Sequence, residues 1–151
     1  RRVKAACLLH DVSWRAHPDY RAEVCFDNAT RANLGGLKHW ERIYLGLALL
    51  HRYSNKREGT RFEPLTSLLK PELQQEAEVL GKAMRFGAML WMQNMDELGE
   101  FRFKPKLRQL ELRLSEAAGP LYGEVAEARL KALASALNAE VSIKVGRKRL
   151  S

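Results

Sequence analysis

The spacing of apolar residues changes near residue 100, and this change constrains the fold more than any other feature. Before that point apolar side chains recur every three or four residues, as in Trp40, Ile43, Tyr44, Leu47, Leu50 and Tyr53. Such spacing is typical of helices with one buried face. After it, Leu110, Leu112 and Leu114 alternate with polar residues, which is typical of a strand. The sequence therefore predicts a helical domain at residues 1–99 and a small strand–helix–strand unit at residues 100–151.

Cap and turn residues mark the predicted elements. In the first domain we expect a largely buried helix from Val3 to about Trp14, a second from Pro18 to about Ala32, a third over residues 37–54 and a long one from Pro71 to about Met95. In the second unit, one strand lies within residues 101–114, a helix runs from about Pro120 to Asn138, and "EVSIKV" forms another strand. A crossover helix of this kind can join two parallel strands. The expected fold class is mainly α with a small C-terminal α/β unit.

The charge balance narrows the class of partner. The 151 residues include 26 Lys and Arg against 18 Asp and Glu, a formal net charge of +8. Such an excess favours polyanionic partners, which include nucleic acid, polyphosphate, phosphorylated nucleotides and acidic membranes. It does not choose among them, and a basic surface without any partner accounts for the charge equally well.

The first residue and the cysteines indicate the context of the chain. It begins at Arg1 without an initiator Met, so we expect a piece of a longer polypeptide. No apolar run approaches the length of a membrane span, and no signal peptide is visible. Cys7 and Cys25 lie in apolar surroundings, which predicts buried free thiols in a cytoplasmic protein. A disulfide between them is allowed but not required.

A histidine and an aspartate, His10 and Asp11, follow the first apolar run. Imidazole and carboxylate can both bind a divalent metal, which in a phosphohydrolase activates water and holds phosphate oxygens. A metal site needs further protein ligands, so the doublet alone is a weak signal. The structural alternative is that both residues end a helix and hydrogen-bond to their neighbours, as buried polar groups must.

Five segments resemble the exopolyphosphatase and guanosine pentaphosphate phosphohydrolase family, Ppx/GppA. The resemblance is strongest in "LLHDVSWRAHPDYRAE", and its second half is similar to the alphaproteobacterial branch. It continues in "LALLHRYSNKR", "AMRFGAMLW", "LRQLELRL" and "RLKALASALNAEVSIKV". Over nearly all 151 residues the chain resembles the C-terminal part of the long members, where a helical domain related to HD phosphohydrolases precedes a small α/β unit.

This resemblance implies that catalysis belongs to an actin-like half outside these 151 residues. It implies no catalytic residue, metal or cofactor in this chain, although the parent enzyme would be Mg-dependent. The doublet would be a degenerate HD site, because the first His of such a site comes from an upstream helix and Ala88 stands where the last Asp is expected. His10 and Asp11 would then be two ligands of the usual four. The family further implies a groove for polyphosphate or guanosine pentaphosphate, and a homodimer.

Basic residues would line such a groove, because closely spaced phosphates attract Arg and Lys in a salt-dependent way. The chief candidates for polyanion binding are Arg15, His17, His51, Arg52, Lys56 and Arg57, of which the last four lie on the helix that faces the groove in the resembled family. Further candidates are Arg61, Arg102, Lys104, Lys106, Arg108 and a basic tail at residues 147–149. The alternative for each is a solvated charge that binds nothing. His17 has a second alternative, as a helix cap before Pro18.

Two other functions remain open at this point. A stand-alone HD-type, metal-dependent nucleotide phosphohydrolase would need ligands that the sequence lacks. A basic, non-catalytic binding module, for nucleic acid for example, is permitted by the charge. However, no nucleic-acid motif is present and aromatic residues are not interleaved with the basic runs. We expect the aromatic residues in the core instead, namely Trp14, Trp40, Tyr44 and Trp91. No membrane partner is expected.

Overall fold

The computed structural model of the chain describes residues 1–54, 58–90 and 99–146. Its helices are α1 (Arg2–Leu9), α2 (Arg21–Arg31), α3 (His39–Tyr53), α4 (Glu63–Thr66), α5 (Pro71–Leu90) and α6 (Glu124–Ala136). Its strands are β1 (Gly99–Lys104), β2 (Gln109–Leu114) and β3 (Glu140–Val145), and 3-10 turns lie at Pro18–Tyr20, Pro105–Leu107 and Glu116–Leu121. The chain divides into two compact units, residues 1–85 and 86–151, each with its own core.

Helix α3 is the centre of the helical unit. Its side chains are buried without interruption from Ile43 to His51, because α2 and the first part of α5 pack against different sides of it. Gly46 allows α2 to approach closely, since a Cβ there would lie 3.0 Å from the ring of Phe26. The Phe26 ring stacks on Phe62, with ring centroids 4.2 Å apart. The predicted third helix is thus confirmed.

Helix α5 crosses α3 at a glycine. A Cβ on Gly81 would overlap the backbone oxygen of Ala48 and lie 2.6 Å from the Cβ of His51. The two backbones therefore meet with no side chain between them. Nearby, the Glu76 carboxylate accepts hydrogen bonds from Arg2 and from the Tyr44 hydroxyl, each at 3.1 Å. These bonds connect α1, α3 and α5.

The first helix differs from its prediction. It ends at Leu9 and buries only Ala6, whereas Val3, Leu8 and Val12 are exposed, Leu8 by 72%. A helix that is apolar on all sides exposes part of its surface unless neighbours cover each side. In the described part of this unit only one side of α1 is covered. Cys7 is also exposed, so the prediction of a buried thiol is wrong at Cys7 and confirmed at Cys25.

The second unit contains a three-stranded sheet in the order β1-β2-β3. Strands β2 and β3 are parallel and α6 connects them, as expected, with Leu110, Leu112 and Leu114 buried in the unit's core. The segment predicted as one strand is an antiparallel hairpin of β1 and β2 instead. Pro105 begins the turn because it cannot donate a ladder hydrogen bond, and Arg108 closes it with a left-handed φ of 44°.

The mainly helical fold with a small C-terminal strand unit is confirmed. The division between the compact units falls inside α5, between Arg85 and Phe86. The burial of Trp14 is contradicted, since its side chain is 58% exposed, whereas Tyr44 is fully buried. Trp91 lies outside the described residues. Among the helices that the structure describes, none is long and apolar enough to cross a membrane.

Candidate functional site

The His10–Asp11 doublet lies in the turn that follows α1. The His10 Nδ1–H donates a hydrogen bond to the Cys7 carbonyl at 2.5 Å, which closes the end of the helix. The His10 carbonyl accepts a hydrogen bond from the Tyr53 hydroxyl at the end of α3. The structural interpretation therefore holds for His10. Asp11 is exposed rather than buried. Burial raises the pKa of Tyr53, and the negative charge of Asp11 adds to that shift.

Among the described residues, the donor groups around the doublet are too few for a metal site. With Nδ1 engaged at Cys7, His10 offers only Nε2, and Asp11 offers one carboxylate. A divalent ion in a protein usually takes at least three protein ligands. Within residues 1–54, 58–90 and 99–146, no three His, Cys, Asp or Glu side chains come together as such a set.

Arginine side chains flank the turn. The Arg52 guanidinium lies 4.8 Å from the centroid of the Tyr53 ring. Arg21, at the start of α2, donates to the carbonyls of Trp14 at 2.9 Å and Ala16 at 3.0 Å, and so fixes the backbone that carries Arg15. We refer to Arg15, Arg21 and Arg52 as the arginine turn.

The arginine turn has an electrostatic effect on its neighbours. Burial raises the pKa of Tyr53 and of the Cys25 thiol, and the positive charges of Arg52 and Arg21 oppose both shifts. Both guanidinium groups thus act on the same small region. The Nε of Arg52 is buried and has no hydrogen-bond acceptor among the described residues.

The two residues predicted between α1 and α2 differ in their environment. Arg15 is exposed and its guanidinium lies 5.0 Å from the centre of the exposed Trp14 ring. His17 is the cap predicted before Pro18, since its Nδ1 accepts a hydrogen bond from the Asp19 backbone N–H at 3.4 Å. Its ring is exposed and lies beside the Asp19 carboxylate, also at 3.4 Å. That carboxylate weakens any attraction of His17 for an anion.

The candidate residues around the end of α3 also differ in their environment. His51 is only 3% exposed and packs where α5 crosses α3, so its side chain does not lie on an open basic surface. Arg61 bonds the carboxylates of Glu23 at 3.1 Å and Asp27 at 2.5 Å, which attaches its loop to α2. Lys56 and Arg57 lie outside the described residues, and their role remains a prediction.

In the second unit, three cations surround one acid. The Glu111 carboxylate is contacted by Lys104 at 2.8 Å, Arg113 at 2.7 Å and Lys144 at 3.1 Å. Hydrogen bonds from Lys104, Lys144 and Arg113 lower the pKa of Glu111 to about 2. Of the candidates before β2, Arg102 pairs with Glu100 at 3.0 Å, while Lys106 and Arg108 are exposed. We refer to Lys104, Glu111, Arg113 and Lys144 as the Glu111 cluster.

Sequence reasoning missed Arg21, Arg113 and Lys144. For Arg21 a signal existed, because a basic residue in the first turn of a helix opposes the helix dipole and needs another reason to be there. For Arg113 and Lys144 no local signal exists. Only the strand register brings these two residues opposite each other across parallel strands.

Comparison with known proteins identifies the family. The family model described as "Exopolyphosphatase, C-terminal" matches residues 1–143. Among curated proteins none matches the chain. The matched residues include the α1–α2 turn, all of α3 and the whole sheet except its last two residues. The chain therefore belongs to the family of exopolyphosphatase C-terminal domains.

Proposed function

We propose that this chain is a non-catalytic domain that gives an exopolyphosphatase part of its polyanion-binding surface and its dimer contacts. Membership of the exopolyphosphatase C-terminal family supports the enzyme class. The hydrolytic groups would lie elsewhere in the enzyme, and any Mg²⁺ would act there. The natural ligand would be polyphosphate or guanosine pentaphosphate, which share closely spaced phosphate oxygens. A cytoplasmic location is part of the proposal and fits two free cysteines.

The observation that carries the proposal is the arginine turn. Arg21 donates to the carbonyls of Trp14 and Ala16 on either side of the exposed Arg15. The Arg52 guanidinium lies 4.8 Å from the centroid of the Tyr53 ring, and the Tyr53 hydroxyl bonds the same segment at the His10 carbonyl. A guanidinium presents five N–H donors in a fixed plane, which suits the paired oxygens of phosphate. The Nε of Arg52 is buried and has no acceptor in the described part of the chain, so contact with a phosphate would use the terminal guanidinium nitrogens.

The ligand-binding test is a titration of the chain with long-chain polyphosphate at several salt concentrations. The variant Arg15→Gln/Arg52→Gln removes two charges from the arginine turn. The matched control Arg31→Gln/Lys131→Gln removes two charges from exposed ion pairs elsewhere. The slope of the logarithm of the binding constant against the logarithm of the salt concentration measures how many phosphates are neutralised. We expect this slope to fall in magnitude by about 0.7 for each phosphate that the variant no longer neutralises, and to stay unchanged in the control. Equal effects in both variants would show that only net charge matters.

Two parallel titrations separate the two ligands. Guanosine pentaphosphate has few phosphates, so its binding should depend only weakly on salt concentration if it enters the arginine turn. Long-chain polyphosphate can contact many cations and should show a steeper salt dependence. Weaker binding of both ligands in the Arg15→Gln/Arg52→Gln variant supports the proposed surface. If neither ligand binds more weakly to this variant, Arg15 and Arg52 are not part of the binding site.

The dimer part of the proposal has its own support and its own test. Val3, Leu8, Val12 and Trp14 are exposed within a short segment, and exposed apolar side chains in such number are often covered by a protein partner. Sedimentation equilibrium of the chain should report a dimer that Leu8→Gln weakens. Leu68→Gln is a matched control, because Leu68 is 69% exposed against 72% for Leu8. A monomer at all concentrations would contradict dimerisation through this chain.

A further inference from the structure

The strand register places a row of charges on one face of the sheet. Arg102 on β1 lies opposite Glu111 on β2, and Glu111 lies opposite Ser142 on β3. Because side chains alternate between the two faces of a strand, Lys104, Arg113 and Lys144 share the face of Glu111. Neighbouring strands are about 4.8 Å apart, so the cations are held at close and regular spacing.

Glu111 holds these cations in place. Its side chain is only 1% exposed, whereas the side chains of Lys104, Arg113 and Lys144 are 36%, 47% and 60% exposed. The carboxylate thus lies beneath its three partners, and the pKa of Glu111, lowered by their hydrogen bonds, keeps it ionised at neutral pH. Three positive charges above one negative charge leave the cluster with an excess of positive charge. A single structural ion pair would leave no excess.

The cations keep free donors that point away from Glu111. An ammonium group has three N–H donors, and each lysine contacts one carboxylate oxygen. Arg113 uses its Nε toward Glu111, which leaves the terminal guanidinium nitrogens. Among the described residues, no other acceptor contacts these three side chains. The cluster is therefore pre-organised for an external anion, which reduces the entropic cost when that anion binds.

The composition of this face determines the class of anion. The aromatic residues of β1, Phe101 and Phe103, lie opposite Leu112 and Leu110 and so belong to the other face. Sheets that bind single-stranded nucleic acid present aromatic rings on which bases stack. The charged face carries no such ring among its described residues. It suits a phosphate chain without bases.

We propose that the Glu111 cluster is a second anion-binding surface, which takes a segment of an inorganic polyphosphate chain. The choice of polyphosphate rests on the proposed function, while the surface shares no residue with the arginine turn. Lys104, Arg113 and Lys144 contact phosphate oxygens, and Glu111 positions them without touching the ligand. Arg102, directly opposite Glu111 on β1 and paired with the half-buried Glu100, lies on the same face.

The test compares Lys144→Gln with Lys131→Gln in polyphosphate titrations. Both lysines are exposed, by 60% and 66%, and both pair with a glutamate, so the two variants change the net charge equally. We expect Lys144→Gln to lower the log–log salt slope by about 0.7, the value for one phosphate left without its cation, and Lys131→Gln to leave it unchanged. Equal slopes for wild type and both variants overturn the proposal. Arg113→Gln is a second variant with the same expected direction.

Comparing the two sets of variants distinguishes failure of this inference from failure of the proposed function. If Arg15→Gln/Arg52→Gln weakens binding and Lys144→Gln does not, the inference fails while the proposed surface stands. If only Lys144→Gln weakens binding, the inference stands and the arginine turn fails. A single-stranded oligothymidylate of similar charge is titrated alongside. Tighter, Lys144-dependent binding of the oligonucleotide would overturn polyphosphate as the ligand.

Discussion

The hydroxyl of Tyr53 donates a hydrogen bond to the backbone carbonyl of His10 and so connects the end of α3 to the turn after α1. The bond explains why the turn that carries His10 lies beside the end of α3 although 43 residues separate His10 from Tyr53 in the sequence. It also assigns His10 a structural task. The His10 backbone is held by α3, and its ring is held by Cys7.

Tyr53→Phe removes this bond and keeps the ring. The His10 carbonyl is then left without its donor, and we expect the free energy of unfolding to fall by about 1 kcal/mol. Urea denaturation followed by circular dichroism measures the change. Tyr20→Phe is the control, because the Tyr20 side chain is exposed and its hydroxyl makes no hydrogen bond within the described chain. Equal stability of both variants would mean that water replaces the Tyr53 bond without cost.

Gly81→Ala places a methyl group against the backbone of α3. Since the carbonyl of Ala48 cannot move without disturbing its helix, we expect a loss of roughly 1–3 kcal/mol in the free energy of unfolding. Gly87→Ala in the same helix meets nothing within 4 Å and should instead stabilise α5 by up to about 1 kcal/mol. Opposite signs in thermal or urea unfolding are the expected result. If both substitutions change the free energy of unfolding in the same direction, the close crossing of α3 and α5 is contradicted.

The Glu111 cluster predicts a specific pH dependence. The folded pKa of Glu111 is about 2, below the ordinary value of 4.5, so the unfolded chain takes up this proton first as pH falls. The stabilising contribution of Glu111 is therefore complete above about pH 4.5 and disappears between there and pH 2. Stability curves of wild type and Glu111→Gln should converge over this acid range. Curves that stay parallel from about pH 5 to about pH 2 would show that Glu111 titrates normally.

The two cysteines should react at different rates. Cys7 is exposed, whereas Cys25 is buried, has its pKa raised by burial, and lies with its Sγ 2.7 Å from the Ser13 hydroxyl. Thiol titration with an aromatic disulfide reagent should show one fast thiol in the folded chain and two in urea. Cys7→Ser should abolish the fast phase and leave the slow one. Two fast thiols in the folded chain would contradict the packing of α2 against the turn.

The elements that could be predicted from sequence are those whose signal is local. Helix α3 carries its own apolar periodicity, the His17 cap depends on its neighbour Pro18, and the parallel pairing of β2 and β3 follows from the helix between them. The hairpin escapes such a prediction because "FRFKPKLRQLELRL" alternates on both sides of Pro105.

The features that could not be predicted depend on distant partners. Whether α1 is buried depends on which of its sides meets another helix, and composition does not contain that information. The burial of His51 follows from the crossing at Gly81, 30 residues later in the sequence. The three partners of Glu111 come from three different strands. The sequence of a charged run does not show which of its basic side chains are packed or paired in the fold.

The polyanion-binding role of the arginine turn can be tested residue by residue in a two-dimensional NMR titration of the ¹⁵N-labelled chain with polyphosphate. If the arginine turn binds the ligand, the Nε–H signals of Arg52 and Arg15 and the backbone amides of residues 13–17 shift together, while those of Arg31 do not. Shifts confined to other residues, or none at a polyphosphate concentration that saturates binding by another method, would contradict this role.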